Sequence, residues 1–242
     1  MATIEARMRS SRLPGKVLLP VAGKPLLEHL VERLRRVPSL DEIVMATTIG
    51  GTDAPLVRLS SQLGIGCFRG SEQDVLGRVA DAARTFQADV IVEITSDCPL
   101  IDPGIVERCI RKYLETGADY VSNALKPSYP MGMNAQVFAR HTLEEVSRLT
   151  HDPADREHVS LYIYSHPEKY RLLNVAASQQ HTRPKLRLTL DTIEDYEVIS
   201  AIFGSLYTDK KDFDLSDILT FLDSHPEIAA INARVQQKPA RL

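Results

Sequence analysis

Four cations, two hydroxyls and a Pro-Gly pair crowd into ten residues, Arg7-Met-Arg-Ser-Ser-Arg-Leu-Pro-Gly-Lys16. Arginine offers forked N–H donors and lysine a mobile point charge, so this composition suits a polyphosphate. Pro14 and Gly15 predict a tight turn that exposes backbone N–H groups. The segment is not a Walker A loop: Lys16 is followed by Val17, and Ser10 stands where the first glycine of that pattern belongs. A solvated basic loop has the same composition. Taken alone, the segment leaves two readings open, a phosphate cradle and a surface patch.

Two other segments end a β-type run in a carboxylate. Asp97 follows Asp89–Thr95, and Asp191 follows Leu186–Leu190. A carboxylate facing a triphosphate needs a divalent cation between them, and Mg²⁺ is typically held by one or two carboxylates plus phosphates. Asp102 has the simpler role of capping the helix that Pro103 starts. Thr192 and Asp195 fit a capping box, which leaves Asp191 free for other work. Asp97 by itself also reads as a turn residue. Together the two strand-end aspartates are expected to converge on one metal ion. The histidines show no HExxH pair, and His29 is expected on the boundary face of the first helix. A Ser-His-Asp hydrolase would need a GxSxG elbow, which is missing.

These residues need a scaffold, and the patterning supplies one. β-type runs at Thr3–Ala6, Glu42–Thr47, Gly66–Phe68, Asp89–Thr95 and Tyr120–Ser122 alternate with amphipathic stretches at Pro25–Arg36, Asp53–Leu63, Asp74–Phe86 and Asp102–Glu115. Asp53 reads as an N-cap with Pro55 in the first turn. Such alternation implies a mostly parallel sheet covered on both faces, whose ligand site lies at the carboxyl ends of the strands. The second half is less regular. Gln136–Phe138 and Leu186–Leu190 read as strands. His141–Leu149, Arg156–Ser165, Ile193–Tyr207, Leu215–Ser224 and His225–Val235 read as helices. Tyr170–Ser178 reads as an arm or hairpin, and Gln236–Leu242 as a frayed polar tail.

Composition narrows the function. The 242 residues are 43% hydrophobic and 25% charged with a net charge of -3, which fits one α/β domain with a proper core and disfavours a dedicated nucleic-acid binder. Cys67, Cys98 and Cys109 form no CxxC pair, so three reduced thiols are expected. No apolar run reaches the ~20 residues that span a bilayer. The N-terminus shows no signal-type apolar segment either, so a cytoplasmic enzyme without a membrane partner is expected.

Taken together, several segments resemble the cytidylyltransferases that make CMP-activated sugar acids, such as the acylneuraminate and 3-deoxy-manno-octulosonate enzymes, and most of all their SpsF-like spore-coat-polysaccharide branch. The likeness is carried by Glu5–Leu18, Val21–Leu27, Phe68–Leu76, Ser96–Asp102, Gly117–Asn123, Arg156–Val159 and Leu186–Asp195, in that order. It implies an α/β fold: a Rossmann-like, GT-A-like nucleotidyltransferase sheet in a single domain over 1–242, with a small dimerisation arm within about 125–185 and a homodimer. It implies transfer of CMP from CTP to a sugar-acid hydroxyl with release of pyrophosphate, in surface polysaccharide or glycoconjugate biosynthesis. Catalysis of this kind is mostly positioning and charge stabilisation and needs no side-chain nucleophile.

Residue by residue, the likeness gives Arg7, Lys16 and Asp97 catalytic roles. Ala6, Arg7, Ser10, Arg12, Gly15, Lys16, Ser71 and Asp74 would bind the nucleotide, with Glu72–Asp74 near base or ribose. Tyr129, Asn134, Gln136, Glu157 and His158 would bind the second substrate. Asp97 and Asp191 would hold Mg²⁺. The chain also departs from the branch. Glu5 replaces a glutamine near the expected base site, Ser96 a glycine, and Asn134 and Gln136 replace two acids. Losing those acids either favours an anionic acceptor or marks lost activity. Two alternatives remain at this point: a glycosyltransferase consuming a nucleotide sugar, and a nucleotide-binding domain without turnover.

Overall fold

The structure, a computed structural model, describes residues 1–238. Among these the strands are β1 (Ala2–Glu5), β2 (Pro20–Val21), β3 (Lys24–Pro25), β4 (Ile43–Thr48), β5 (Gly66–Gly70), β6 (Val90–Thr95), β7 (Tyr120–Ser122), β8 (Gln136–Ala139) and β9 (Leu172–Asn174). The α-helices are α1 (Leu26–Leu34), α2 (Ala54–Leu63), α3 (Val75–Thr85), α4 (Pro103–Thr116), α5 (Arg140–Leu149), α6 (Pro153–Glu157), α7 (Leu161–Ser165), α8 (Ile193–Leu206), α9 (Leu215–Ser224) and α10 (Pro226–Ile231).

Seven strands form one sheet in the order β5-β4-β1-β6-β8-β7-β9. β1 lies inside it, between and parallel to β4 and β6, while β8 runs antiparallel between β6 and β7. This is the mostly parallel α/β sheet that the alternation implies. On one face Leu27, Leu30 and Leu34 of α1 and Val106, Cys109 and Ile110 of α4 close over the strands. On the other, Leu76, Val79 and Ala83 of α3 meet Leu143 and Val146 of α5. A third apolar cluster joins Val198, Ile202 and Phe203 of α8 to Ile218 and Leu222 of α9. β2 and β3 make a small separate ribbon that delivers the chain to α1.

Caps set several element ends where the sequence puts them. The Asp102 carboxylate accepts the Ile105 N–H at 3.1 Å, and Thr192 with Asp195 closes a capping box on α8. Gly64 and Gly117 end α2 and α4 in the left-handed region.

Five local expectations change. Leu186–Leu190 is not a strand: it makes a single bridge, Arg187 to Met131. Its alternation reflects Leu188 and Leu190 buried against α8 and α9 rather than sheet pairing. Arg156–Ser165 is not one helix but spans α6 and α7, which are separated at His158, where the backbone leaves the helical region (φ -109°, ψ 80°). Tyr170–Ser178 carries β9, which joins the main sheet parallel to β7 rather than forming a hairpin. The last helix is confined to α10, and Asn232 just beyond it is buried and tied to Asp195. His29 is buried, with Nε2 2.8 Å from the Val21 carbonyl and its ring against Phe203. Within the expected tail Gln237 accepts from Arg187 at 2.8 Å, and residues 239–242 lie outside the described residues. The three cysteines are free thiols.

Candidate active site

The segment after β1 leaves the carboxyl edge of the sheet and turns back on itself. Its neck is a hydrogen bond from the Gly15 N–H to the Met8 carbonyl, 2.9 Å. Gly15 sits at φ +71°, a conformation that suits glycine. The Arg9–Pro14 loop borders a cleft of about 690 Å³ lined by Met8, Arg9, Ser10, Ser11, Pro14, Gly15 and Thr52. Pro14-Gly15 leads into a 3-10 turn at Lys16–Leu18, which sends Lys16 across the edge.

Lys16 reaches both expected metal ligands. Its Nζ lies 2.8 Å from Asp191 Oδ1 and 3.5 Å from Asp97 Oδ2, and it donates to the Leu190 carbonyl at 2.6 Å. The two aspartates are brought together by backbone. The Asp97 carbonyl accepts the Leu190 N–H at 2.8 Å and the Thr189 hydroxyl at 3.1 Å. Thr95 donates its hydroxyl to Asp97 Oδ1 at 2.6 Å. Arg12 adds a second cation at 2.8 Å from Asp191 Oδ1.

Asp191 is not the free carboxylate that the capping box implied. Its other oxygen takes Arg187 Nη2 at 2.8 Å, and Arg187 Nε is 2.8 Å from Asp195 Oδ1. Asp195 therefore does more than cap: it also accepts the Asp191 N–H at 2.8 Å. Burial alone would raise the Asp191 carboxyl, but Lys16, Arg12 and Arg187 outweigh it and hold it below the ordinary aspartate value. Burial likewise works against the Arg187 charge, and Asp195 and Asp191 more than restore it. Sequence reasoning missed Arg187. The signal was a cation set inside an otherwise apolar, alternating run.

The remaining expected residues divide. Arg7 sits on the rim, 3.6 Å from Glu157, both half-exposed. His158 is exposed beside them. Ser10 accepts the Leu13 N–H at 3.4 Å, and Ala6 is buried under the loop. Ser71 accepts the Asp74 N–H at 3.1 Å. Asp74 itself caps α3 through the Gly77 N–H at 2.8 Å and pairs with Arg156, so its carboxylate is occupied within the fold. Asn134 is half-buried. Gln136 accepts from the Tyr120 hydroxyl at 2.8 Å and from Ser160. Tyr129 is only 4% exposed, in the apolar cluster under α8, with its hydroxyl pointing to the Ala176 carbonyl. It belongs to the core, in one apolar cluster with Leu188 and Leu190.

The Glu5 carboxylate is buried in the sheet. Together with Glu93 it lies on the sheet face under α3 and α5, since Thr3 pairs in register with Glu93 and shares the Glu5 face. Both Glu5 oxygens and Glu93 Oε2 are buried without a hydrogen-bond partner. Burial, then Glu93, pushes the Glu5 carboxyl well up, and burial pushes Glu93 up to about 7.

The cluster sets two carboxylates, which are hard oxygen donors, among three cations, Arg12, Lys16 and Arg187. The Lys16 ammonium bridges the two carboxylates.

The sequence model of the cytidylyltransferases matches residues 1–217. The chain belongs to the cytidylyltransferase family. It is a nucleotidyltransferase of the CTP-dependent kind, as the resemblance implied. The spore coat polysaccharide biosynthesis protein SpsF of Bacillus subtilis is 36% identical over 233 residues, covering 93% of this chain and 95% of that protein. The 3-deoxy-manno-octulosonate cytidylyltransferase of Pelobacter propionicus is 28% identical, covering 87% of this chain and 92% of its own. The solved structure of a cytidylyltransferase from Leptospira borgpetersenii superposes with a TM-score of 0.89 at 30% identity, over 98% of both chains. The described residues of this cytidylyltransferase contain no helix long and apolar enough to cross a membrane.

Proposed function

We propose that this cytidylyltransferase moves CMP from CTP onto the hydroxyl of a sugar acid, releasing pyrophosphate, and that Asp97 and Asp191 hold Mg²⁺. The observation that carries the reading is the Lys16 ammonium bridging these two aspartates beside the basic loop. The kinship with a 3-deoxy-manno-octulosonate cytidylyltransferase supports the acceptor class, and kinship with SpsF supports a place in polysaccharide biosynthesis. A cytoplasmic homodimer forming one single domain per chain is part of the same reading and rests on the family likeness.

In this scheme the acceptor oxygen attacks the α-phosphorus. One P–O bond forms, the bond to the β-phosphate oxygen breaks, pyrophosphate leaves and the hydroxyl proton is lost. Bound Mg²⁺ would neutralise phosphate charge and act as a Lewis acid. The chain's own share is positioning and charge. Arg7, Arg12 and Lys16 neutralise the triphosphate, and Gly15 and Ser10 shape the loop around it. Lys16 exchanges its carboxylate partners for phosphate oxygens when the nucleotide enters. Asn134, Gln136, Glu157 and His158 form the acceptor side.

The test is a pyrophosphate-release screen of the four nucleoside triphosphates against several sugar acids and related small anions. Release with CTP and a sugar acid alone supports the proposal. Release with another triphosphate, or only with non-sugar anions, overturns the named substrates. Consumption of a nucleotide sugar without pyrophosphate points to a glycosyltransferase instead.

A further inference from the structure

We infer that Asp53 is a positioning residue for the phosphate loop, and that the Gly51–Asp53 turn forms the opposite wall of the nucleotide cleft. The inference rests on reading that cleft as the triphosphate site. Sequence reasoning made Asp53 a helix cap, but its carboxylate caps nothing on α2. Asp53 is instead 2% exposed, and its Oδ1 accepts the Met8 N–H at 2.8 Å, across 45 residues of chain. The other oxygen takes the Thr48 hydroxyl at the end of β4.

Met8 is the hinge point of the loop. Its carbonyl accepts the Gly15 N–H at 2.9 Å and the Ser10 N–H at 3.1 Å. Both polar groups of one peptide position are therefore fixed, the carbonyl by the neck of the loop and the N–H by Asp53. Arg7 and Arg9 flank that position, so its orientation sets where both side chains leave the backbone. Thr52, adjacent to Asp53, lines the cleft together with Met8, Ser10 and Gly15. A single buried carboxylate thus ties the two walls of the cleft together.

The turn that carries Asp53 is itself braced. The Gly50 N–H donates to Thr48 Oγ1 at 3.1 Å, and Arg69 on β5 donates to the Thr48 carbonyl at 3.0 Å and to the Gly50 carbonyl at 3.1 Å. This frame holds Asp53 in place against the loop. A hydrogen bond to a buried carboxylate is among the stronger ones in a protein.

The experiment compares the full-length protein with Asp53→Ala, Asp53→Asn and Leu59→Ala. Asp53→Asn keeps an acceptor for the Met8 N–H. Leu59→Ala truncates the apolar side of α2 and controls for lost stability. Hydrogen exchange in the free proteins is expected to accelerate at residues 8–16 in Asp53→Ala, with β1 and β4 unchanged. CTP binding is expected to weaken about tenfold or more in Asp53→Ala and less than about threefold in Asp53→Asn. Equal loop exchange in Asp53→Ala and wild type overturns the inference, whether or not CTP is the substrate. So does an equal loss of CTP affinity in Leu59→Ala. A wild-type protein that does not bind CTP, with the exchange difference intact, overturns the proposed function and leaves Asp53 as the anchor of the loop.

Discussion

Lys16 and Asp191 meet at 2.8 Å although 175 residues separate them in sequence. Only the fold joins them. Lys16 arrives from the loop after the interior strand β1, and Asp191 from a segment whose Leu190 N–H meets the Asp97 carbonyl. The pair is buried, with 12% and 6% side-chain exposure, so its charges act in a poorly screened environment. It marks the point where the phosphate loop and the two carboxylates become one site.

The carboxylates of that site are expected to be indispensable to turnover. Asp97→Asn keeps the shape and the Thr95 contact while removing the charge. Pyrophosphate release should fall by about a hundredfold or more, and millimolar-range EDTA should abolish it reversibly. Steady-state assays with Mg²⁺ re-addition check this. Activity that survives both treatments rules out the metal role of Asp97.

Arg187 is expected to matter for stability before it matters for rate. It neutralises Asp191 and Asp195 together, and both are nearly fully buried. Arg187→Met leaves two buried carboxylates facing each other, a loss on the order of 3–5 kcal/mol for one broken buried pair. Arg187→Lys should recover only part, since a lysine cannot bond two carboxylates with a planar fork. Urea denaturation of the three proteins measures the series. A midpoint for Arg187→Met equal to wild type would show that the pairs contribute nothing.

The Glu5–Glu93 pair predicts the pH dependence of stability. Burial raises Glu93 from 4.5 to about 7, and burial with the Glu93 charge raises Glu5. The folded protein therefore holds protons that the unfolded chain has released. Stability from this source is complete below about pH 4.5 and is lost as pH rises through about 7. The denaturant midpoint should fall for wild type between about pH 5.5 and about pH 8, and the fall should shrink in Glu93→Gln, which keeps the side chain's size without its titration. The same slope in both proteins would refute the assignment.

Much of this was legible in the sequence, for physical reasons. Strands and helices of the first half follow from periodic apolar residues, with Asp102 and Gly117 marking the ends of α4, and Thr192 marks the start of α8 in the second half, as capping chemistry requires. The places of the basic loop after β1 and of Asp97 after β6 were legible because sheet topology fixes where strands end, whereas Asp191 follows a run that is not a strand. What stayed hidden depends on long-range pairing. Nothing near Leu186–Leu190 says that its alternation faces helices rather than a strand. Nothing near Asp53 says that its carboxylate leaves its own helix for Met8. Glu5 was placed by its neighbours in sequence, whereas its environment is set by Glu93 one strand away.

Gly132 supplies the last prediction, and it concerns the backbone behind the aspartates. Gly132 has φ +97°, and a Cβ built there would lie 2.6 Å from the Leu188 carbonyl carbon and oxygen and 2.8 Å from the Thr189 nitrogen. These are main-chain atoms and cannot rotate away. The same stretch carries Thr189 and Leu190, which hold the Asp97 carbonyl. Gly132→Ala must push the segment off Asp97 or strain the turn, and the positive φ adds about 1–2 kcal/mol of its own. A lowered melting temperature is expected, together with a loss of turnover larger than stability explains at a temperature where the variant remains folded. Gly204→Ala, in α8 with open space around its Cβ, is the matched control and should be neutral or stabilising. If Gly132→Ala melts and turns over like Gly204→Ala, then the contact between residues 132 and 188 does not set the spacing of the two aspartates.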